Sequence, residues 1–412
     1  AGCEARAAIS PRHTRMSLYS RQRVPEATTT IPGEKYAMRR VTLCLLLLGG
    51  TSAMVPATAE TVGITTLPDP APSWFISQGG DASHLWDATD GEMLGLISHT
   101  GFTTATVTLP SRKEAYLVNS YYSRAVTGTR SDVLTILDLN TLATKAEVDL
   151  PPKAAALRIR QHIALLGDER HVVLFNMTPA MSVSVVDVVQ RKFVGEISTA
   201  GCAIIMPVEA RGFLMLCGDG TLQLIRLDEN GHEAERLRSK PFFDVEKDPI
   251  FDRVVYDGAG WILISQEGLV RQVGVEGKRI TVSDAWSMLN DEDKAAGNTQ
   301  EQWLPGGEQP FTLHRGTHLL YSLMHKGKVD TPDADGTELW VFDTDRRKRV
   351  ARLVLPVETK GILASQEPTP HLYLRDKDNK LHVYDAHRLK LLRTIEKPGA
   401  VGGLLQTLTP ND

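Results

Sequence analysis

The sequence has few of the groups that carry chemistry unaided. Four cysteines occur in 412 residues (Cys3, Cys44, Cys202 and Cys217), and none forms a C-x-x-C or a C-x-x-C-H. That removes thioredoxin-like redox chemistry, a zinc ribbon and a covalently attached haem. No G-x-S-x-G elbow, no H-E-x-x-H and no phosphate-cradling glycine loop after a strand is present. The 12 histidines are scattered. His314 and His318, four apart, sit among strand-like residues with no third ligand, so no metal is expected. Long hydrophobic runs are missing too: beyond the first fifty residues nothing approaches the roughly 20 apolar residues of a transmembrane helix, and no membrane partner is expected.

The N-terminal segment reads as a leader. Met38-Arg39-Arg40 precedes the apolar run Val41–Leu48, and Ala57-Thr58-Ala59 offers a small-residue cleavage site. A positive start, an apolar stretch too short to span a bilayer and an A-x-A end describe a secretory signal. Translation is therefore expected to start at Met38, with cleavage after Ala59, leaving residues 60–412 as one domain outside the cytoplasm. Removing residues 1–59 leaves 38 basic against 47 acidic residues. A net charge of that sign argues against nucleic acid as a partner. Cys202 and Cys217 are then the remaining pair, and in an oxidising compartment a disulfide between them is the default.

What the chain does have is a recurring phrase: an apolar run, an Asp, a short polar turn and a second apolar run. It ends its first run at Asp87, Asp138, Asp187, Asp343 and Asp385. The first three are 51 and 49 residues apart and the last two 42. Between them, Gly212–Cys217 with Thr221–Ile225, and Gly260–Ile264 with Leu269–Val273, read as two further hairpins. Seven units at this period predict an all-β fold, a seven-bladed β-propeller that grows by adding blades and needs no linker. Residues 286–308 break the pattern and are expected to form a short helix and an ordered loop between units.

The repeated Asp residues are expected to accept backbone N–H groups in their turns rather than to catalyse. Gly128-Thr129-Arg130-Ser131-Asp132 reads as a tight turn whose Arg pairs with a carboxylate. From residues alone, the chain is an exported propeller whose partner is unspecified, including the alternative of a secreted scaffold that only binds proteins.

Several longer phrases go further. Tyr121-Tyr122-Ser123-Arg124 through Arg130-Ser131-Asp132-Val133, Leu150-Pro151-Pro152-Lys153, Gly201-Cys202 with Cys217-Gly218-Asp219-Gly220, and Trp303-Leu304-Pro305-Gly306-Gly307 run in order along the chain. They resemble the heavy chain of the tryptophan tryptophylquinone amine dehydrogenases, the methylamine and aromatic amine dehydrogenases of bacterial periplasm. Lys247-Asp248-Pro249-Ile250-Phe251, Leu289-Asn290-Asp291-Glu292-Asp293-Lys294-Ala295, and Leu313-His314-Arg315 with Met324-His325 are similar to the aromatic amine branch. The resemblance implies a seven-bladed propeller that holds no cofactor and no catalytic residue itself. The quinone, built from two tryptophans, and the catalytic Asp would sit on a separate, disulfide-dense light subunit. It also implies two heavy and two light subunits, a primary amine substrate, aralkylamines before methylamine, and electron transfer to a cupredoxin such as azurin or amicyanin. One residue is carried over by position: Phe102, in Thr100-Gly101-Phe102-Thr103-Thr104, would line the substrate channel, the alternative being an ordinary core aromatic.

Overall fold

The backbone organises as short antiparallel strands because its apolar runs are only three to eight residues long and end at Asp, Gly or Pro turns. In the computed structural model, residues 66–297, 301–328, 331–396 and 403–410 are described, all within the compact unit Val62–Asp412. The expected leader, with its start at Met38 and cleavage after Ala59, lies outside the described residues.

Five sheets stand alone as blades. The first comprises Trp74–Gln78, Ala82–Asp87 and Met93–Ser98, completed on its inner edge by Leu405–Thr407. The second is Val107–Leu109, Glu114–Arg124, Thr127–Asp138 and Thr144–Leu150, and the third Ile163–Leu165, His171–Asn176, Ser182–Asp187 and Lys192–Ser198. The fourth holds Cys202–Val208, Gly212–Cys217, Leu222–Leu227 and Glu233–Arg238. The fifth holds Val255–Tyr256, Trp261–Ile264, Leu269–Glu276 and Arg279–Val282, with Trp286–Ser287 paired to its third strand.

The expected count of seven separate blades is corrected at the C-terminal end. There, eight strands from Gln302–Pro305 to Lys390–Ile395 form one continuous sheet. The cause is the 17-residue strand Lys348–Ala364. Its first part pairs with Gly336–Asp343 up to Val354, and its last part, Thr359 to Ala364, pairs with His371–Asp376. The connection at 355–358 carries β-branched Val357 and no glycine, and Pro356 is compatible with extended backbone, so the chain stays extended through it. The two halves still fold face to face: Leu323 and Leu339 share one apolar cluster with Ile362 and Leu372.

Elsewhere the core lies between successive sheets. Tyr116 and Leu134 of the second sheet pack with Leu174 of the third, and Phe175 of the third with Phe213 of the fourth. The ring closes where Phe75 stacks on Tyr373, centroids 4.7 Å apart, and Phe75 pairs with Thr407 across the strands. Innermost strands touch between the second, third and fourth sheets, and Val255, Phe311, Leu363 and Leu405, from innermost strands of other sheets, line a common cavity at the central channel.

The predicted turn role of the repeated Asp residues is seen directly. Asp138 Oδ1 accepts from Asn140 N and Thr141 N, Asp187 Oδ1 from Val189 N and Gln190 N, and Asp385 Oδ1 from His387 N and Arg388 N. Two local expectations differ. Gly128–Asp132 is not a turn but part of the strand Thr127–Asp138, because the hairpin reverses earlier, at Ala125 (φ 57°). The 286–308 insertion contains, besides the helix Asp291–Ala295 capped by Asn290, the short strands Trp286–Ser287 and Gln302–Pro305. Among the described residues no helix is long and apolar enough to cross a membrane.

Candidate functional site

Phe102 lies in the connection that leaves the outer strand of the first blade and enters the inner strand of the second. Its main chain is clamped: the Phe102 carbonyl accepts from Ser120 N (2.9 Å) and Thr100 Oγ1 (2.7 Å), while Thr100 N donates to Asn119 Oδ1 (3.0 Å). The next two residues are fully buried and bonded, with Thr103 Oγ1 donating to Val118 O and Thr104 Oγ1 accepting from Val118 N. A buried polar residue persists only when so satisfied. Held by this frame, the Phe102 side chain stays 39% exposed, its ring edge-on to Tyr122 at 5.3 Å and 65°. It is therefore a surface aromatic and not a core one.

The neighbouring connections present more apolar surface on the same face. Glu114–Arg124 and Thr127–Asp138 are 11 and 12 residues long, twice the usual blade strand, so their hairpin projects with Tyr121 and Val126 exposed. Arg130 fixes this hairpin to the next connection. Its guanidinium donates to both oxygens of Asp132 (2.7 and 2.9 Å), to Ala154 O (2.6 Å) and to Ser120 Oγ (3.2 Å). Ala154 N donates back to Asp132 Oδ2. Met177 N then bonds Lys153 O, bringing the third blade's loop into the chain of contacts. Leu157, Met177 and Met181 are each about two-fifths exposed, like Phe102. An exposed apolar set rimmed by polar groups is the signature of a protein-binding surface.

The titratable group nearest Phe102 in sequence is His99. Burial holds its pKa below the usual histidine value, and its ring nitrogens are engaged by Ser83 Oγ and the Thr100 carbonyl, both at 2.9 Å. It therefore orients the loop as a neutral ring. The Ser83 hydroxyl that meets His99 is fully buried, closed off from any substrate, and among the described residues no cluster of three His, Cys, Asp or Glu could hold a metal. His318 sits in a turn at φ 55° and bonds exposed Asp345, while His314 is buried and bonds Thr317 and the Glu367 carbonyl.

Cys202 and Cys217 are direct partners in the register of the fourth blade's inner strands and are joined by a disulfide, with Cα atoms 4.0 Å apart. The bridge, with Gly218 N bonded to Gly201 O, staples two loops that open on the same face. Sequence reading named Phe102 but missed its setting of Tyr122, Val126, Leu157, Met177 and Met181. The available signal was local: a hairpin too long for its blade, ending in apolar residues.

The comparisons with known proteins agree with this architecture. The family profile of the methylamine dehydrogenase heavy chain (MADH) matches residues 71–409. The methylamine dehydrogenase heavy chain of Methylophilus methylotrophus is 24% identical over 385 residues, spanning 88% of this chain and 93% of that protein. That of Methylobacillus flagellatus is 26% identical over 291 residues, 70% and 71% of the two chains. Among solved structures, a functionally unknown protein from Desulfotomaculum acetoxidans superposes with a TM-score of 0.56 at 13% identity, covering 81% of this chain and 99% of that one. The β-propeller domain of Cps50 from Myceliophteria thermophila gives 0.51 at 9%, covering 79% and 98%. At those identities the structures speak to the fold alone. The profile match along residues 71–409, upheld by relatives aligned over most of their own length, makes this chain a member of the methylamine dehydrogenase heavy chain family.

Proposed function

We propose that the chain is the heavy subunit of a periplasmic quinoprotein amine dehydrogenase, exported by the leader in residues 1–59. In this reading two copies hold two light subunits, and each light subunit carries the tryptophan tryptophylquinone. That group would supply the two-electron oxidation by which a primary amine and water become aldehyde, ammonia and two protons, the electrons going on one at a time to a cupredoxin such as azurin or amicyanin. This chain's part is to dock the light subunit and to wall its substrate channel with Phe102. The observation that carries the reading is the exposed apolar set around Phe102, ordered by hydrogen bonds yet uncovered by the chain itself. The tryptophans here have other work: Trp303 and Trp340 pack without covalent linkage, centroids 5.3 Å apart, and Trp340 Nε1 is committed to Glu338.

Aralkylamines are the proposed substrates, on the strength of the phrases similar to the aromatic branch. Methylamine is the second reading, favoured by the names of the relatives. Purification of the chain with its associated subunits from periplasm, a visible spectrum, and dye reduction with phenylethylamine and with methylamine test all of this. A coloured complex active on either amine supports the proposal, and the ratio of the two kcat/KM values chooses the substrate class. A chain that purifies without a small partner, with no amine-dependent dye reduction in the extract, overturns it.

A further inference from the structure

Guanidinium groups gather at the central channel. At one mouth a cavity of about 190 Å³ is lined by Arg158, Arg253 and Arg375, against Glu308 and Asp333, with Gln309 between them. A second cavity shares Arg253 and Gln309 with it and is lined also by Arg160 and Gln161. Three guanidinium groups thus meet two carboxylates at the mouth, with the Asp252 carboxylate beside Arg253.

The carboxylates offset this charge but leave guanidinium nitrogens of Arg253 and Arg375 without a hydrogen-bond partner. Glu308 is committed to Arg375, at 2.6 Å, and lies 4.0 Å from Lys360. Arg375 itself is 5% exposed, bonded to Glu308 and Asn379, with its Nε lacking a partner. Arg253 spends Nε on the Glu308 carbonyl, and its Nη1 lies 2.8 Å from the half-exposed Asp252 but without hydrogen-bond alignment. Arg158 donates Nη2 to Gly80 O. Buried donors of this kind are rarely left idle, because an unmatched one costs about 1–3 kcal/mol. The same field is felt by His162, whose pKa is pushed down to about 4 by burial and by Arg253.

We propose that this mouth binds a small oxyanion, of the carboxylate or phosphate class, between Arg158 and Arg253 with Arg375 behind them. Planar guanidinium forks converging on one cavity suit two or more oxygens of a single anion. The site depends on the chain's own residues and is independent of the amine reading.

Isothermal titration calorimetry of the full purified chain with inorganic phosphate and with succinate, at low and at raised salt, tests it. One saturable event per chain is expected with at least one of the two, weakening with salt. Arg253→Gln and Arg158→Gln should each weaken it about tenfold or more, while Arg236→Gln, on an outer strand, should leave it unchanged. Thermal melts verify that each variant is folded. Binding of phosphate alone identifies a phosphate site, binding of succinate alone a dicarboxylate site, and binding of both a general oxyanion site. No binding of either by the wild type, or unchanged affinity in both mouth variants, overturns the proposal.

Discussion

Asp132, 1% exposed, is held in a two-pronged ion pair by Arg130, two residues away on the same strand, and the pair reaches across to the main chain of Ala154. One carboxylate thereby joins the projecting hairpin of the second blade to the connection leading into the third. Removing either partner leaves the other polar group under-satisfied in a dry setting. Asp132→Ala should cost about 3 kcal/mol, the low end for breaking a buried pair, because the Arg130 side chain is 23% exposed. Urea unfolding measures the loss; a change within 0.5 kcal/mol or so would put the variant among ordinary surface substitutions and show the pair to be ornamental.

Phe102→Ala should leave stability nearly unchanged. A side chain 39% exposed with one aromatic neighbour has little to lose, in contrast to the roughly 3–5 kcal/mol expected of a core Phe. In the reconstituted complex the ratio of kcat/KM for phenylethylamine and methylamine should shift by about 1–3 kcal/mol in relative terms. An unaltered ratio removes Phe102 from the channel.

The Cys202–Cys217 bridge closes a loop of 15 residues. Replacing both by Ser should lower stability by about 3 kcal/mol. Two free thiols by mass spectrometry of the non-reduced wild-type protein would contradict the bridge itself.

Acid should weaken the fold through His162. Its folded pKa, about 4, lies below the ordinary histidine value of 6.5, so the unfolded chain takes up a proton first as pH falls. Stability from this group is intact above pH 6.5 and is lost between there and about pH 4, a decrease on the order of 3 kcal/mol. Burial lowers His84, His99, His314 and His325 in the same direction. His162→Gln should flatten part of the slope in denaturation followed from pH 7 to pH 4. A slope identical to wild type would assign the acid sensitivity to the other histidines.

The repeat of apolar run, Asp and turn was legible because each element of it is local. Asp138, Asp187 and Asp385 do in space what their spacing suggests, and Cys202 and Cys217 meet because a single hairpin joins them. The blade count failed where locality failed: nothing around Pro356 announces that Lys348–Ala364 serves two ladders at once. Arg130 was legible as an ion-pair partner but not as a brace, since Ala154 lies 24 residues on. The channel arginines were illegible altogether. Arg158, Arg253 and Arg375 come from separate blades and are neighbours only after the ring has formed.

That ring imposes an order of events on the folding chain. The first blade cannot finish until Leu405–Thr407 arrives to pair with Trp74–Gln78, by way of Phe75 and Thr407. Gln406 then also exchanges two bonds with the main chain of Thr106, and Thr108 Oγ1 donates to Leu408 O. Bringing strands about 330 residues apart together carries a closure entropy on the order of 5 kcal/mol, charged once and late. Until then three strands near the start of the fold keep an unpaired edge, open to another chain. A nascent protein that halts short of residue 405 is thus an aggregation hazard made mostly of native structure, and loss of the last strand would be felt first in the blade farthest from it along the chain.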